Sequence, residues 1–194
     1  MIKKFLKMKI TKLELFKVPP RWLFLKISTD EGIEGWGEPV IEGRADTVKA
    51  AVNELSEYLI GKDPGAIEDF FQVMYRGGFY RGGPILMSAI AGIEQALWDI
   101  VGRACGQPVY NLLGGPCRER IRVYANGWSY GMKEPSDYAR AAEKVVAMGF
   151  DAMKFDPLPS PWRSYIPKEH EDRAVAVVKA VRDAVGPKVD LLIE

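Results

Sequence analysis

Cysteine, histidine, surplus charge and long apolar runs are all scarce in this chain, and each scarcity removes a class of function. The two cysteines, Cys105 and Cys117, stand apart from each other and form no CxxC pair. They read as free thiols of a reducing cytoplasm, not as a disulfide framework. The sole histidine, His170, sits among Lys168, Glu169, Glu171 and Asp172. Such a neighbourhood predicts a solvated helix start, not a catalytic imidazole. Lys plus Arg number 27 against 26 Asp plus Glu, a net charge of +1. That balance argues against a nucleic-acid or anionic-membrane surface and favours a small uncharged or anionic ligand. No stretch reads as the roughly 18 apolar residues of a membrane span. The opening Met1 to Lys7 is basic, yet it lacks the apolar run of about 7 to 15 residues that a secretory leader carries. The expected location is therefore cytoplasmic. With 47% hydrophobic and 27% charged residues, the composition is that of a globular protein with one or two cores.

The first half reads as an antiparallel meander followed by helices. Lys9 to Val18 is strand-like and stops at Pro19-Pro20. A second strand resumes at Trp22, with Leu23, Leu25 and Ile27 alternating onto one face, and Asp30-Glu31-Gly32 turns the chain into a third strand ending at Gly37. Val48, Val52, Leu55 and Leu59 mark an amphipathic helix over 45–60 that Gly61 closes. Ile67, Phe70, Phe71 and Met74 mark a second, and Leu86, Ile90, Ile93 and Leu97 a third that runs to about Gly102. Strands followed by helices make an α+β unit. The glycine-rich stretch from Arg76 to Pro84 reads as a loop in domain contact; it lacks the order of a phosphate-binding loop.

Beyond Gly114-Gly115-Pro116 the pattern alternates. A short strand Val123-Tyr124-Ala125, a helix from Pro135 to Met148, a strand Ala152 to Phe155, a helix from about Glu171 to Val185 and a last strand ending at Glu194 predict parallel pairing. The expected domains are thus 1–116, an α+β unit, and 117–194, the opening of an α/β barrel. A (β/α)₈ barrel takes about 250 residues. The chain after Pro116 supplies two βα units and one bare strand, so the barrel reads as truncated.

Ala96-Leu97-Trp98-Asp99-Ile100-Val101-Gly102-Arg103, followed by Gln107 to Gly115, resembles the helix and its exit in the mandelate racemase and muconate lactonising branch of the enolase superfamily. Pro19-Pro20-Arg21-Trp22, Gly35-Trp36-Gly37-Glu38-Pro39, Glu42-Gly43-Arg44-Ala45 and Phe79 to Ile85 look like its galactonate dehydratase group. The resemblance implies a capping α+β domain over a TIM-type barrel, with Mg²⁺ held by carboxylates at strand ends. It also implies an acid sugar such as galactonate or gluconate as substrate, dehydrated to a 2-keto-3-deoxy acid, and a homo-oligomer. Of the metal ligands it implies, Glu194 alone has a counterpart here.

Lys154 and Asp156 lie two residues apart at the end of a barrel strand, the end where barrel catalysis occurs. Relatives can use a lysine pair there. Asp156 in the second place counts against a lysine base, leaving Lys154 to face a substrate carboxylate or metal ligand and Asp156 a substrate hydroxyl. Arg21 and Trp22 would belong to a capping loop that closes on the substrate. Ordinary readings remain beside these: a strand-end acid, an ion pair, a packed Arg-Trp pair. Trp98 and Asp99 read as structural, with Asp99 bonding backbone or an arginine. A racemase of the same superfamily, and a non-catalytic fragment or assembly half, are the competing functions.

Overall fold

The computed structural model describes residues 8–158 and 165–194. The basic segment Met1 to Lys7 lies outside the described residues. Two compact units divide the chain between Cys117 and Arg118.

In the first unit, β1 (Ile10–Val18), β2 (Trp22–Thr29) and β3 (Glu34–Gly37) form an antiparallel sheet in sequence order. Leu23, Leu25 and Ile27 are fully buried on the inner face, as their alternation predicts. A register shift between Ile10 and Lys12 bulges β1, and Ile10 there exchanges backbone bonds with Gly61 and Lys62. Helix α1 (Ala45–Leu55) ends in a 3₁₀ turn, Ser56–Tyr58, so the expected 45–60 helix tightens in its last turn. Helices α2 (Ile67–Arg76) and α3 (Pro84–Cys105) follow, and α3 outruns its expected end by three residues before Gly106 caps it in the left-handed conformation. A one-turn helix, α4 (Val109–Leu112), completes the unit.

Helix α3 corrects one expectation. By length and composition, with a mean hydropathy of 1.3, it is apolar enough to cross a membrane. The apolar content has a local use: Ile90, Ile93, Ala96, Leu97 and Ile100 are completely buried in the core of the unit. The helix also lies unusually close to β3. A Cβ on Gly35 or Gly37 would overlap the carbonyl oxygens of Ala96 and Gly92, and one on Gly92 would overlap Pro39. Three glycines therefore let helix and strand backbones touch. Side chains of the same helix reach the strand, where the Trp36 amide donates to Asp99 Oδ2 (3.0 Å) and the Glu38 amide to Gln95 Oε1 (2.8 Å). Asp99 also accepts from Arg103 Nε at 2.9 Å, so it bonds both backbone and an arginine.

The second unit contains α5 (Pro135–Ala147), β4 (Ala152–Phe155), α6 (Lys168–Val185) and β5 (Asp190–Ile193), with β4 and β5 parallel. Val123-Tyr124-Ala125 is not a strand. Only Ala125 bridges β4, donating to Ala152 O and accepting from the Lys154 amide. Neighbouring side chains take over on either side of it, Arg122 binding Asp151 O and Asn126 accepting from the Gly127 amide. Tyr138, Ala142 and Val145 of α5 and Ala174, Val177 and Val181 of α6 are buried, whereas Met148 lies past the end of α5 and is exposed.

Candidate functional site

Parallel register decides what meets at the strand ends. Lys154 pairs with Leu192 and Phe155 with Ile193, and the Glu194 amide then donates to Phe155 O at 3.2 Å. This brings Lys154 Nζ within 2.8 Å of Glu194 Oε2. The bond to Glu194 holds the Lys154 ammonium above the ordinary lysine pKa, against a smaller desolvation effect. Lys154 thus stays charged at neutral pH, a fixed cation suited to an anionic group and unsuited to taking up a proton. Asp156, just beyond β4, accepts from the Leu158 amide through Oδ1 at 2.9 Å. That bond fixes the turn and leaves the second carboxylate oxygen to another donor.

Trp128 is a residue that the sequence reading missed. Its indole Nε1 donates to the Lys154 carbonyl at 2.9 Å, and its ring packs edge-on against Tyr138 and Phe155 at 6.4 and 5.2 Å between centroids. The only signal was an aromatic after Asn126-Gly127 near a strand end. An open groove of about 730 Å³ runs beside Glu194, walled by Leu158, Val175, Val178, Leu191 and Ile193.

In the first unit, Arg21 occupies the tight connection between β1 and β2, and Trp22 is the first residue of β2, paired with Val18. The connection is thus a short hairpin turn. Arg21 is ion-paired with Glu42, and its guanidinium lies 5.5 Å from the centroid of the Trp22 ring. Lys17 reaches Asp46 at 2.6 Å. These side chains rim a concavity of about 280 Å³ lined by Lys17, Pro20, Arg21, Arg44 and Asp46. Two of its cations, Lys17 and Arg21, are already paired with carboxylates. His170 is exposed at the start of α6, as expected. Phe79 and Tyr80, in the glycine-rich loop, are almost fully exposed.

Among the described residues, no three His, Cys, Asp or Glu side chains are grouped so as to hold a metal ion. Glu194 brings one carboxylate where Mg²⁺ demands near-octahedral oxygen ligation. The described residues do not by themselves fit the ion.

Residues 18–114 match the family model described as mandelate racemase / muconate lactonizing enzyme, N-terminal domain. The chain belongs to that family. Within the mandelate racemase/muconate lactonizing enzyme family it is 56% identical over 184 residues to the D-galactonate dehydratase of Pectobacterium atrosepticum, covering 94% of this chain and 47% of that protein. It is likewise 56% identical over 183 residues to the D-galactonate dehydratase of Variovorax paradoxus, with the same coverage. A solved enolase-superfamily member from Salmonella Typhimurium superposes with a TM-score of 0.88 at 34% identity, over 96% of this chain and 54% of that one. The mandelate racemase/muconate lactonizing enzyme of Sulfitobacter sp. gives 0.84 at 32%, over 96% and 52%. The chain spans about half the length of the curated relatives it matches. Its antiparallel sheet with helices on one side is the capping domain of the family, and the strand-helix alternation after it is that of an α/β barrel.

Proposed function

We propose that residues 1–116 act as the capping domain and 117–194 as the opening of the barrel in a dehydratase of an aldonic acid sugar such as galactonate or gluconate. The observation that carries this reading is 56% identity to D-galactonate dehydratases along nearly the whole chain. In the reaction a base removes the C2 proton, the C3–O bond breaks, and the hydroxyl leaves as water after gaining a proton. The resulting enol tautomerises to a 2-keto-3-deoxy acid. Lys154, held charged beside Glu194, would bind the substrate carboxylate, while Asp156 would accept a bond from a sugar hydroxyl. Arg21 and Trp22 would supply a second cationic contact and an apolar wall from the capping domain. The Mg²⁺ expectation attaches to a protein of the relatives' length, in which Glu194 would be one ligand among several. A cytoplasmic homo-oligomer is part of the same proposal.

The test joins residues 1–194 to the second half of the Pectobacterium enzyme and assays a panel of aldonates with Mg²⁺. Keto-acid formation from galactonate or gluconate is expected, with none from the 194-residue chain assayed alone. Epimerised sugar without keto acid would favour a racemase, and no turnover of any aldonate would sink the proposal.

A further inference from the structure

The chain beside β4 leaves the sheet by an exchange of hydrogen-bond partners. The Ala125 amide donates to Ala152 O at 2.9 Å, and Ala125 O accepts from the Lys154 amide at 2.8 Å. A parallel ladder would continue with the Gly127 amide donating to the Lys154 carbonyl. Here the Gly127 amide turns instead to the side chain before it, Asn126 Oδ1 at 2.9 Å, and the Trp128 indole Nε1 donates to Lys154 O at 2.9 Å. Gly127, at a φ of 72°, makes the bend that this exchange needs. Both backbone groups of Lys154 are thus held by one short segment, Ala125 to Trp128.

The exchange also orients the Asn126 amide. A backbone N–H can be accepted only by the amide oxygen, so the oxygen faces Gly127 and the NH₂ is the free end. Asn126 is exposed, and no acceptor among the described residues takes that NH₂. Register sets where it stands: Ala125 is bridged to Met153, so the next residues, Asn126 and Lys154, are level and on one face of the sheet. On the other side of Lys154, β5 brings Glu194 to the ammonium at 2.8 Å. Across the strand ends the order is therefore amide NH₂, ammonium, carboxylate.

We propose that Asn126 is a substrate-binding residue, its NH₂ and the Lys154 ammonium together holding the carboxylate of the aldonate. The inference rests on the dehydratase reading and names a second anchor within it. An ammonium is a point charge that sets distance without setting orientation. A second donor, one strand spacing of about 4.8 Å away, matches the two oxygens of one carboxylate and fixes its plane, and with it the face on which the C2 proton is presented. An anion is favoured over a hydroxyl because both neighbours are donors and one of them is charged.

The test uses the joined protein described above, residues 1–194 followed by the second half of the Pectobacterium enzyme, and its Asn126→Asp variant. N126D keeps an oxygen for the Gly127 amide, so the bend and the melting temperature are expected to be unchanged, but it replaces the donor with a second anion. Galactonate binding, by calorimetry, should weaken at least about tenfold, and KM should rise by a similar factor with kcat nearly unchanged. Galactitol, which has the hydroxyls without the carboxylate, should bind N126D no more weakly than the parent. Equal galactonate affinity in both proteins overturns the proposal, and so does an equal weakening for galactitol, which would make the contact one to a hydroxyl. A melting temperature that falls together with the affinity makes the role structural and overturns it too. Galactonate bound without turnover, and more weakly by N126D, would sink the dehydratase reading and leave this contact standing. No binding of any aldonate by the joined protein would sink both.

Discussion

Gly37 sits on the inner face of β3 where a Cβ would overlap the Gly92 carbonyl of α3, so a methyl group there has nowhere to go without moving a helix. Overpacking of this kind costs about 3 kcal/mol when backbone is the obstacle. Gly37→Ala is therefore expected to lower the stability of the first unit by about that amount, read as a shift in urea midpoint at unchanged slope. Gly32→Ala serves as the control: its φ of 75° strains a side chain, but nothing lies within 4 Å of the added carbon, so the cost there is about 1 kcal/mol. The sequence shows Gly-Trp-Gly-Glu-Pro as a motif without showing why it is so. Close approach of Gly37 to Gly92 depends on where a helix much later in the chain is laid down, which no local pattern encodes. The same holds for Trp128, whose bond to the Lys154 carbonyl exists only after β4 is placed. Asp99 was easier to anticipate, because a carboxylate on a mostly apolar helix needs donors.

At the scale of elements, the helices were legible because each carries an apolar stripe that a core requires. The boundaries moved where caps decided them: α6 begins at Lys168, just after Pro167, instead of near Glu171, and Gly106 closes α3. The strand expected at 123–125 from its β-branched and aromatic residues shrank to one bridge because the chain there is fastened by side chains. Arg122 is the main fastening. Its Nε lies 3.0 Å from Asp151 Oδ1, Nη1 2.6 Å from Asp190 Oδ2, and Nη2 donates to the Asp151 carbonyl at 3.1 Å. One guanidinium thus ties this segment to the starts of both parallel strands, and by fixing their register it sets where Lys154 and Glu194 meet at the far end. Arg122→Ala is expected to speed amide hydrogen exchange at Ala125 and Lys154, whose bonds hold that bridge, and to leave the β1–β2 amides unchanged. Arg122→Lys should restore only part of the protection, since an ammonium lacks the fork that spans two carboxylates. Equal exchange in all three proteins would refute the clamp.

At the scale of the whole chain, the two units differ in how completely their own residues cover their apolar faces. The first has a sheet whose inner side is sealed by α1, α2 and α3, with Leu23, Leu25, Ile27, Ile90, Ile93 and Leu97 wholly out of water. The second has a two-stranded parallel sheet and two helices, a core centred on Met153, Phe155, Val177 and Val181, and Val175, Leu192 and Ile193 facing solvent. Parallel sheets are ordinarily covered on both faces, and a domain of fewer than about 80 residues seldom gains more than about 3–5 kcal/mol from one core. Residues 8–117 produced separately should therefore unfold in a single cooperative transition. Residues 118–194 produced separately should show helical circular dichroism without a cooperative melt and should bind a hydrophobic dye. The outcome discriminates because both pieces carry regular secondary structure and differ in buried apolar packing. A sharp melt from residues 118–194 would mean that Arg122, the Trp128–Tyr138–Phe155 cluster and two helices suffice to stabilise an open parallel sheet. The groove beside Glu194 would then be a tolerated surface and not a site awaiting a covering element.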